Sequence, residues 1–213
     1  VYNIRIAHSG KFVDASGGSA SKNGTKVHQW RGHNGANQKW KLEKVGPYWA
    51  KPPKHQAFFI RPAYSKKYWD LGGDGAETNQ KGKRFKLWTL NSGGDRMYKF
   101  KPSGDHSWLN IQVQNGGRRV DVKGGNVRSN GAPLHLWDPH GGDAQKFAMK
   151  PTSRNTFVLF SKGYKAVDVK GGDIYDNGSA IHLWSPHYGA SQQFVLEYAS
   201  GPKKGQLYNF EGF

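Results

Sequence analysis

The sequence is notable first for what it lacks. It contains no cysteine, which excludes disulfide bonds, thiolate metal sites and a thiol nucleophile. It has no apolar run near the roughly 20 residues that a membrane-spanning helix needs, so no membrane span is expected, and no stretch has convincing helical periodicity. Glycine (29 residues) and aromatic residues (14%) are abundant instead. This composition favours short strands joined by tight turns, and therefore an all-β fold.

Negative charge is also scarce. Fifteen Asp and Glu residues stand against 32 Lys and Arg, for a net charge of +17. A field of this size attracts polyanions such as nucleic acid, acidic glycans, anionic lipid or a charged mineral surface. The alternative interpretation is general solubility, although +17 exceeds what solubility requires.

One stretch recurs four times along the chain. Its clearest copy carries Val167-Asp168-Val169-Lys170-Gly171-Gly172, then Asn177-Gly178, Ile181-His182-Leu183-Trp184 and Gln192-Gln193-Phe194. The same order stands 47 residues earlier and again near the N-terminus, while a degenerate copy lies between them. The equivalent residues are Asp14 and Trp30, Asp70 and Trp88, Asp121 and Trp137, and Asp168 and Trp184. Self-similarity at a period near fifty residues indicates a repeat architecture.

The repeats divide the chain into a single predicted repeat domain, 1–213. In each repeat a turn signal such as Asn23-Gly24 predicts a hairpin, because these residues tolerate the positive φ of a type I′ turn. Consecutive prolines favour an extended backbone, which marks 47–54 as a linker. Repeats one to four span 1–46, 55–102, 106–150 and 154–198, and 199–213 is a C-terminal tail.

The ordered marks of repeat one resemble a known family. Gly10-Lys11-Phe12-Val13-Asp14, Asn23-Gly24, His28-Gln29-Trp30 and Asn37-Gln38-Lys39-Trp40 are similar to the ricin-B-type lectin repeat with its Gln-x-Trp signature. The resemblance extends, repeat by repeat, over nearly the whole chain. It implies β-trefoil repeats of four short strands each, in which three repeats close a six-stranded barrel capped by three hairpins.

Three departures from the family pattern matter. The usual cysteine is replaced by Phe12, Tyr68, Arg119 and Ala166, and the Gln-x-Trp aromatic reads Trp40, Phe100, Phe147 and Phe194. Four repeats, moreover, do not fit a three-fold barrel. Either three close a trefoil and one is extra, or four close a wider barrel with larger interior side chains. The proline segment favours repeat one as the extra copy, whereas the degenerate sequence favours repeat two.

The resemblance also implies a shallow sugar pocket in each well-preserved repeat. A carboxylate accepts hydrogen bonds from sugar hydroxyls, and an indole face offers an apolar plate for a sugar ring. The predicted carbohydrate-binding residues are Asp14, His28, Trp30, Asn37 and Gln38 in repeat one, Asp121, His135, Trp137 and Gln145 in repeat three, and Asp168, His182, Trp184 and Gln192 in repeat four. Repeat one matches the pattern most fully. Repeat two has Met97-Tyr98 in place of Asn-Gln and is expected to be inactive.

Structural roles compete with each of these assignments. An Asp before Gly-Gly often ties its own turn, and a strand Trp is usually core. The pairs His28/His33, His135/His140 and His182/His187 contain metal-ligating residue types, but a metal site needs three or four convergent ligands. Duplication explains their recurrence, so we expect no metal and no cofactor.

Catalysis and nucleic-acid binding have weaker support. Asp105-His106-Ser107 contains triad residue types, but adjacent residues do not generally converge on one reacting atom. The chain is therefore expected not to be an enzyme. Tyr64-Ser65-Lys66-Lys67-Tyr68 and 81–86 interleave basic and aromatic residues, as surfaces that bind phosphates, sulfates or bases do. The alternative is that both are solvated faces.

These patterns favour a non-enzymatic lectin that binds glycans, including acidic or sulfated ones, through up to three pockets strengthened by multivalency. The alternative is a basic structural or matrix protein on a lectin-like scaffold that binds polyanions, a partner protein or a mineral phase. Salt separates the two, because polyanion binding weakens steeply with ionic strength. The first residue, Val1, favours a processed, extracellular protein.

Overall fold

The computed structural model describes residues 1–18, 21–40, 49–72, 80–90, 96–104 and 108–210. Within these ranges the chain is all-β, as predicted, with short strands and single-turn 3₁₀ helices. None of the described helices is long and apolar enough to cross a membrane. The candidate Asp105-His106-Ser107 and the first two residues of the predicted linker lie outside the described ranges.

Contacts divide the chain into two compact units, residues 1–46 and 47–213. The first contains strands β1 (Phe12–Ala15) and β2 (Val27–Trp30), paired antiparallel, and 3₁₀ turns at Ser16–Gly18 and Ala36–Gln38. A bridge between Tyr2 and Trp40 brings the ends of this unit together. It is thus repeat one, folded as a hairpin with flanking segments.

The second compact unit contains twelve strands in its described residues. They are β3 (Phe58–Pro62), β4 (Lys67–Asp70), β5 (Lys86–Thr89), β6 (Tyr98–Pro102), β7 (Leu109–Val113), β8 (Arg119–Val122), β9 (Leu134–Trp137), β10 (Phe147–Pro151), β11 (Thr156–Ser161), β12 (Ala166–Val169), β13 (Ile181–Trp184) and β14 (Phe194–Tyr198). Its 3₁₀ turns include Lys123–Gly125, Asp143–Gln145, Lys170–Gly172 and Ala190–Gln192.

Six of these strands close a barrel. Strand β3 pairs with β6, β6 with β7, β7 with β10, β10 with β11, β11 with β14, and β14 returns to β3, every pair antiparallel. The other strands form three hairpins, β4–β5, β8–β9 and β12–β13. Repeats two, three and four therefore build a three-fold trefoil, and no described strand of repeat one belongs to it. Of the two sequence signals, the proline segment identified the extra repeat correctly and the degenerate sequence did not.

Each barrel strand turns alternate residues into the core, as the two-residue period of a strand requires. Every one of these side chains is almost fully buried: Phe58 and Ile60, Tyr98 and Phe100, Leu109 and Ile111, Phe147 and Met149, Phe157 and Leu159, and Phe194 and Leu196. Six aromatic rings in twelve positions give a small barrel the interior volume it needs.

The strand register corrects one assignment in repeat two. Three Cα pairs are equivalent around the barrel: Tyr98 with Val113, Phe147 with Ser161, and Phe194 with Pro62. The repeat aromatic of repeat two is therefore Tyr98, and not Phe100, which lies two residues further on. The Gln position of the repeat consequently falls on Arg96. The sequence-based assignment to Phe100 was wrong because Tyr98-Lys99-Phe100 has the same spacing as the Gln-x-aromatic signature of the other repeats.

The hairpin tips link the three repeats in a ring. The Gly82 N–H donates to the Leu136 carbonyl (2.7 Å), Gly131 to Leu183 (2.7 Å) and Gly178 to Leu87 (2.8 Å). Each tip glycine has a positive φ, between 80° and 91°, a conformation that favours glycine. Each tip thus lies beside the tryptophan-bearing strand of a neighbouring repeat.

Candidate functional site

Strand alternation places the aspartate, histidine and tryptophan of a repeat on one face. Val120 and Val122 point into the core, so Asp121 between them points outward. On the paired strand β9, His135 and Trp137 likewise alternate with core leucines, and His135 is the direct cross-strand partner of Asp121. The pairs Asp168–His182 and Asp14–His28 have the same register.

In repeat three, two imidazoles hold the aspartate. His135 Nε2 lies 2.9 Å from Asp121 Oδ1, and His140 Nε2, from the loop after β9, lies 2.8 Å from Oδ2. The His135 ring also stacks on Trp137, with ring centroids 4.9 Å apart and planes 19° from parallel. The carboxylate, both imidazoles and the indole therefore form one contiguous group.

Repeat four reproduces this group. His182 Nε2 lies 3.4 Å from Asp168 Oδ1, and His187 Nε2 lies 3.0 Å from Oδ2. The Ser191 hydroxyl, where repeat three has an alanine, adds a hydrogen bond of 3.2 Å to Oδ2. His182 stacks on Trp184 at 5.4 Å and 15°.

Repeat one has the same group with more donors. His28 Nε2 lies 3.0 Å from Asp14 Oδ1, and His33 Nε2 lies 3.0 Å from Asp14 Oδ2. The Asn37 amide donates to both oxygens at 2.9 Å, and the Gln38 amide donates to Oδ2 at 2.8 Å. These are the two side chains that made repeat one the fullest match by sequence, and both are bonded to the aspartate.

The backbone orients the second histidine of each group. A glycine N–H two residues on donates to Nδ1 of His33 (3.2 Å), His140 (3.0 Å) and His187 (3.0 Å). Because an accepting ring nitrogen carries no proton, the proton of the neutral ring is on Nε2 and is donated to the aspartate. These histidines, considered above as metal ligands, are hydrogen-bond partners of the carboxylate. Their five-residue spacing from the strand histidine was the available sequence signal.

The predicted glutamines lie beneath the pockets and hold the histidine-bearing loops. Gln145 Nε2 donates to the Asp138 carbonyl (2.8 Å), while its Oε1 accepts from the His140 N–H (3.0 Å). Gln192 makes the equivalent bonds to Ser185 (3.0 Å) and His187 (2.8 Å). Both amides are fully buried. The Gln of the repeat signature therefore shapes the loop at the edge of each pocket.

Hydrogen bonding lowers the pKa values of Asp168 and Asp14. Burial raises the pKa of Asp168, but hydrogen bonds from His182, Gln192, Ser191 and His187 outweigh it, so the net pKa lies below its usual value. For Asp14 the same opposition, with hydrogen bonds from Gln38, His33, His28 and Asn37, also lowers the pKa. Both groups are built to hold a carboxylate in its ionised form.

This arrangement makes stability depend on pH in a defined direction. Because the folded pKa of Asp168 lies below the unfolded value of about 3.9, its carboxylate stabilises the fold above that pH. The contribution is lost as pH falls through the folded pKa. We expect the difference in unfolding free energy between the parent and Asp168→Asn to shrink as pH falls from about 5 to below about 4. Urea unfolding across this range measures it, and a difference that widens on acidification contradicts it.

Cavities open over the aspartate groups of repeats three and four. The first, of about 570 Å³, is lined by Gly82, Asp121, Lys123, Gly124, Gly125, His135, Trp137, His140 and Ala144. The second, of about 530 Å³, is lined by Asp168, Lys170, Gly171, Gly172, His182, Trp184, His187 and Ser191. In both, a Lys-Gly-Gly turn faces the histidines and a tryptophan. Equivalent residues thus line equivalent cavities in two repeats.

The two cavities differ at the tryptophan. Lys81 of the neighbouring hairpin tip lies over the Trp137 ring, 4.3 Å from its centroid, and pairs with Asp138 at 3.0 Å. At the hairpin tip beside repeat four, Asn130 of repeat three takes the place of Lys81. The Asn130 side-chain oxygen accepts a hydrogen bond from the Ser185 hydroxyl. Trp184 is 43% exposed, whereas Trp137 is only partly exposed. The indole of Trp184 in repeat four is therefore more accessible to a ligand than the indole of Trp137 in repeat three.

Repeat two uses its aspartate differently. Arg96 contacts Asp70 Oδ2 through Nε and Nη2, and the Gly72 N–H donates to Oδ1. Asp70 and Arg96 are 0% and 1% exposed. Lys86 replaces histidine as the cross-strand partner of Asp70. Arg96 occupies the Gln position and neutralises the carboxylate, a role that the misaligned repeat mark concealed in the sequence.

The repeated groups and the closed trefoil agree with comparisons to known proteins. A family model described as ricin-type β-trefoil lectin domain-like matches three overlapping stretches, residues 1–88, 48–137 and 96–184. The chain belongs to this family. No sequence among curated proteins matches it.

Solved structures of the same fold share little sequence with this member of the family. ThreeFoil, a designed three-fold symmetric protein, has a TM-score of 0.60 and 20% identity over 66% of this chain and 96% of its own. A ricin B-like lectin of Macrolepiota procera, in complex with lactose, has a TM-score of 0.55 and 17% identity over 70% and 99%.

The Polyporus squamosus lectin, bound to the epitope Neu5Aca2-6Galb1-4GlcNAc, has a TM-score of 0.56 and 17% identity over 71% of this chain and 51% of its own. At such identities the likeness to these structures shows the trefoil fold alone.

Proposed function

We propose that the chain is a non-enzymatic lectin that holds sugars in the aspartate–histidine–tryptophan pockets of repeats three and four, with repeat one as a further site. The observation that carries the proposal is the recurrence of one carboxylate–imidazole–indole group under two equivalent cavities. Each shallow pocket binds weakly, and occupation of several at once raises the apparent affinity.

The repeats differ in how many further hydrogen bonds the pocket aspartate can accept from a sugar. A carboxylate has about four lone-pair sites, and among the described residues Asp121 accepts from two imidazoles, one on each oxygen. About two sites therefore remain for sugar hydroxyls. Asp14 accepts from four side chains, Asn37 and Gln38 among them, which leaves least capacity in repeat one. Acceptor capacity therefore places repeat three ahead of repeat one, the reverse of the order that the sequence favours. Asp168 also accepts from Ser191 and Gln192, so repeat four is placed beside repeat three because an equivalent cavity opens over its aspartate.

The indoles supply the second half of the proposed contact. Trp184 and Trp30 are 43% and 51% exposed, and each is backed by the stacked histidine of its own strand. A fixed, exposed indole presents an apolar face of negative potential on which the C–H face of a sugar ring packs. The backing imidazole restricts rotation of the indole, so less side-chain entropy is lost on binding.

The cavities support binding rather than catalysis. Glycoside hydrolysis generally uses two carboxyl groups on either side of the scissile bond. Among the described lining residues, each cavity has a single carboxylate, Asp121 or Asp168, and it is already bonded to two imidazoles. The absence of a second carboxyl group from these linings supports the proposal that the pockets carry no hydrolytic activity.

The test combines a glycan array with tryptophan variants. The strongest array ligand is titrated by calorimetry into the parent, Trp137→Ala, Trp184→Ala and the double variant. Loss of one stacking face is expected to weaken its own site on the order of tenfold, and the double variant is expected to lose binding in the second compact unit.

Trp88→Ala is the matched control. It removes a partly exposed indole of the same fold position from repeat two, and its sugar binding is expected to equal that of the parent. An array without a binder, or a double variant that binds like the parent, contradicts the proposed function.

A further inference from the structure

We infer that the second compact unit carries a binding site of another kind, which binds the sulfate esters of an acidic polysaccharide. The site is a cavity of about 450 Å³ lined by Lys54, His55, Lys99, Lys101, Gln112 and Gln114. No carboxylate is among its described lining residues. It differs in chemistry from the pockets described above, each of which has an aspartate at its base.

Strand geometry gathers these lysines. In β6, Tyr98 and Phe100 point into the core, so Lys99 and Lys101 project together from the outer face. Gln112 on β7 is the cross-strand partner of Lys99. Strand β3 pairs with β6 through Phe58 and Tyr98, which brings the segment just before β3, with Lys54 and His55, to the same place. The cluster is therefore a consequence of barrel closure.

The positive charge of the cluster has no partner within the described part of the protein. In the second compact unit, the described acidic side chains form their ion pairs with basic residues outside the cluster, as in Arg61–Glu197 and Lys146–Asp143. Among the described residues, Lys54, Lys99 and Lys101 take part in no ion pair. Like charges held around one cavity repel each other, and a bound anion removes that repulsion. A net charge of +17 adds long-range attraction for the same kind of ligand.

The lining also indicates the class of anion. Single-stranded nucleic acids bind on aromatic platforms that stack their bases, and no Phe, Tyr or Trp lines this cavity in the described part of the chain. Glutamine amides donate to and accept from hydroxyl groups. The side-chain oxygen of Gln114 is buried without a hydrogen-bond partner among the described residues. Lysines beside one unsatisfied amide oxygen fit a ligand that carries both sulfates and hydroxyls.

The test measures heparin binding to the full chain over a series of salt concentrations. The Lys99→Gln/Lys101→Gln variant is expected to weaken binding at about 0.15 M salt on the order of tenfold. It is also expected to reduce the slope of log affinity against log salt by about two, roughly one for each lysine replaced. Both side chains project outward, so the thermal unfolding midpoint is expected to stay near that of the parent.

Matched control variants distinguish binding at this cavity from non-specific attraction by the overall positive charge of the protein. Lys22→Gln/Lys26→Gln removes the same charge from exposed positions of the first compact unit and is expected to lower the affinity much less. The Trp137→Ala/Trp184→Ala variant is expected to bind heparin like the parent, which separates this site from the sugar pockets. Chemically desulfated heparin is expected to bind weakly to every variant.

Three results overturn the inference. Equal losses in the two lysine double variants show that the overall charge, and not this cavity, binds the polymer. Undiminished binding of desulfated heparin shows that sulfate is not recognised. A single-stranded DNA of equal charge that binds as tightly as heparin, with the same dependence on Lys99 and Lys101, assigns the cavity to nucleic-acid phosphates instead.

Discussion

Replacing Arg96 with alanine is expected to lower the free energy of unfolding by about 3–5 kcal/mol. Arg96 and Asp70 are both almost fully buried and contact each other directly. Removing the guanidinium leaves the Asp70 carboxylate buried with only the Gly72 N–H as a described partner. An uncompensated charge in the interior is far more costly than the loss of one ion pair at the surface. Urea unfolding of the parent and Arg96→Ala measures the decrease.

The chain offers a surface pair for comparison. Arg118 and Asp138 also form an arginine–aspartate ion pair, at 2.7 Å, but Asp138 is 48% exposed. Water screens such a pair, so Arg118→Ala is expected to cost at most about 1 kcal/mol. An Arg96→Ala loss no larger than this contradicts the account of repeat two.

A double replacement tests the cause of that loss. Asp70→Leu with Arg96→Met removes both charges and keeps apolar volume in the core, so it is expected to be more stable than Arg96→Ala. If the double variant is instead less stable than the single one, the penalty comes from poorer packing and not from an unpaired carboxylate.

The second large effect is expected at Trp69. This side chain is fully buried and packs against Phe85, Tyr98 and Phe194, with ring centroids 6.0, 6.1 and 5.5 Å away. Trp69→Ala is expected to destabilise the fold by about 3–5 kcal/mol, because the neighbouring rings cannot collapse into the vacated space. Thermal or urea unfolding measures the change.

Two comparisons make this prediction specific. Trp88, on the paired strand of the same hairpin, is 36% exposed, so Trp88→Ala is expected to cost far less than Trp69→Ala. The equivalent of Trp69 in repeats three and four is a valine, Val120 or Val167, at the same hairpin position. Trp69→Val therefore restores the repeat sequence, yet it is expected to destabilise because it leaves a cavity. A neutral Trp69→Val contradicts this account.

Much of the candidate site is readable in the repeat. The alternation of Val-Asp-Val with Leu-His-Leu-Trp is sufficient to predict that Asp121, His135 and Trp137 share a face, because successive side chains of a strand point to opposite sides. The partnership between Asp121 and His140 is not readable in this way. His140 lies in an irregular loop, and its direction depends on hydrogen bonds from Gln145 and Gly142.

Repeat two shows how a local alignment fails. Tyr98-Lys99-Phe100 has the spacing of the repeat mark, and only the pairing of Tyr98 with Val113 shows that the register lies two residues earlier. The role of Arg96 follows from that register, since its guanidinium reaches Asp70 from the Gln position. Pairing between strands is a non-local property and leaves no trace in the spacing of one repeat.

The repeat, its hairpins, the alternation of core and outward residues, and the trefoil family are all readable from the order of the amino acids. The choice of repeats two, three and four for the barrel is not, since closure depends on β14 pairing with β3 across more than a hundred residues. The same closure decided which lysines share a cavity and which aspartate Arg96 neutralises. Short-range pattern specifies the face on which a side chain lies, but closure brings together residues that are distant in the chain and so selects their partners.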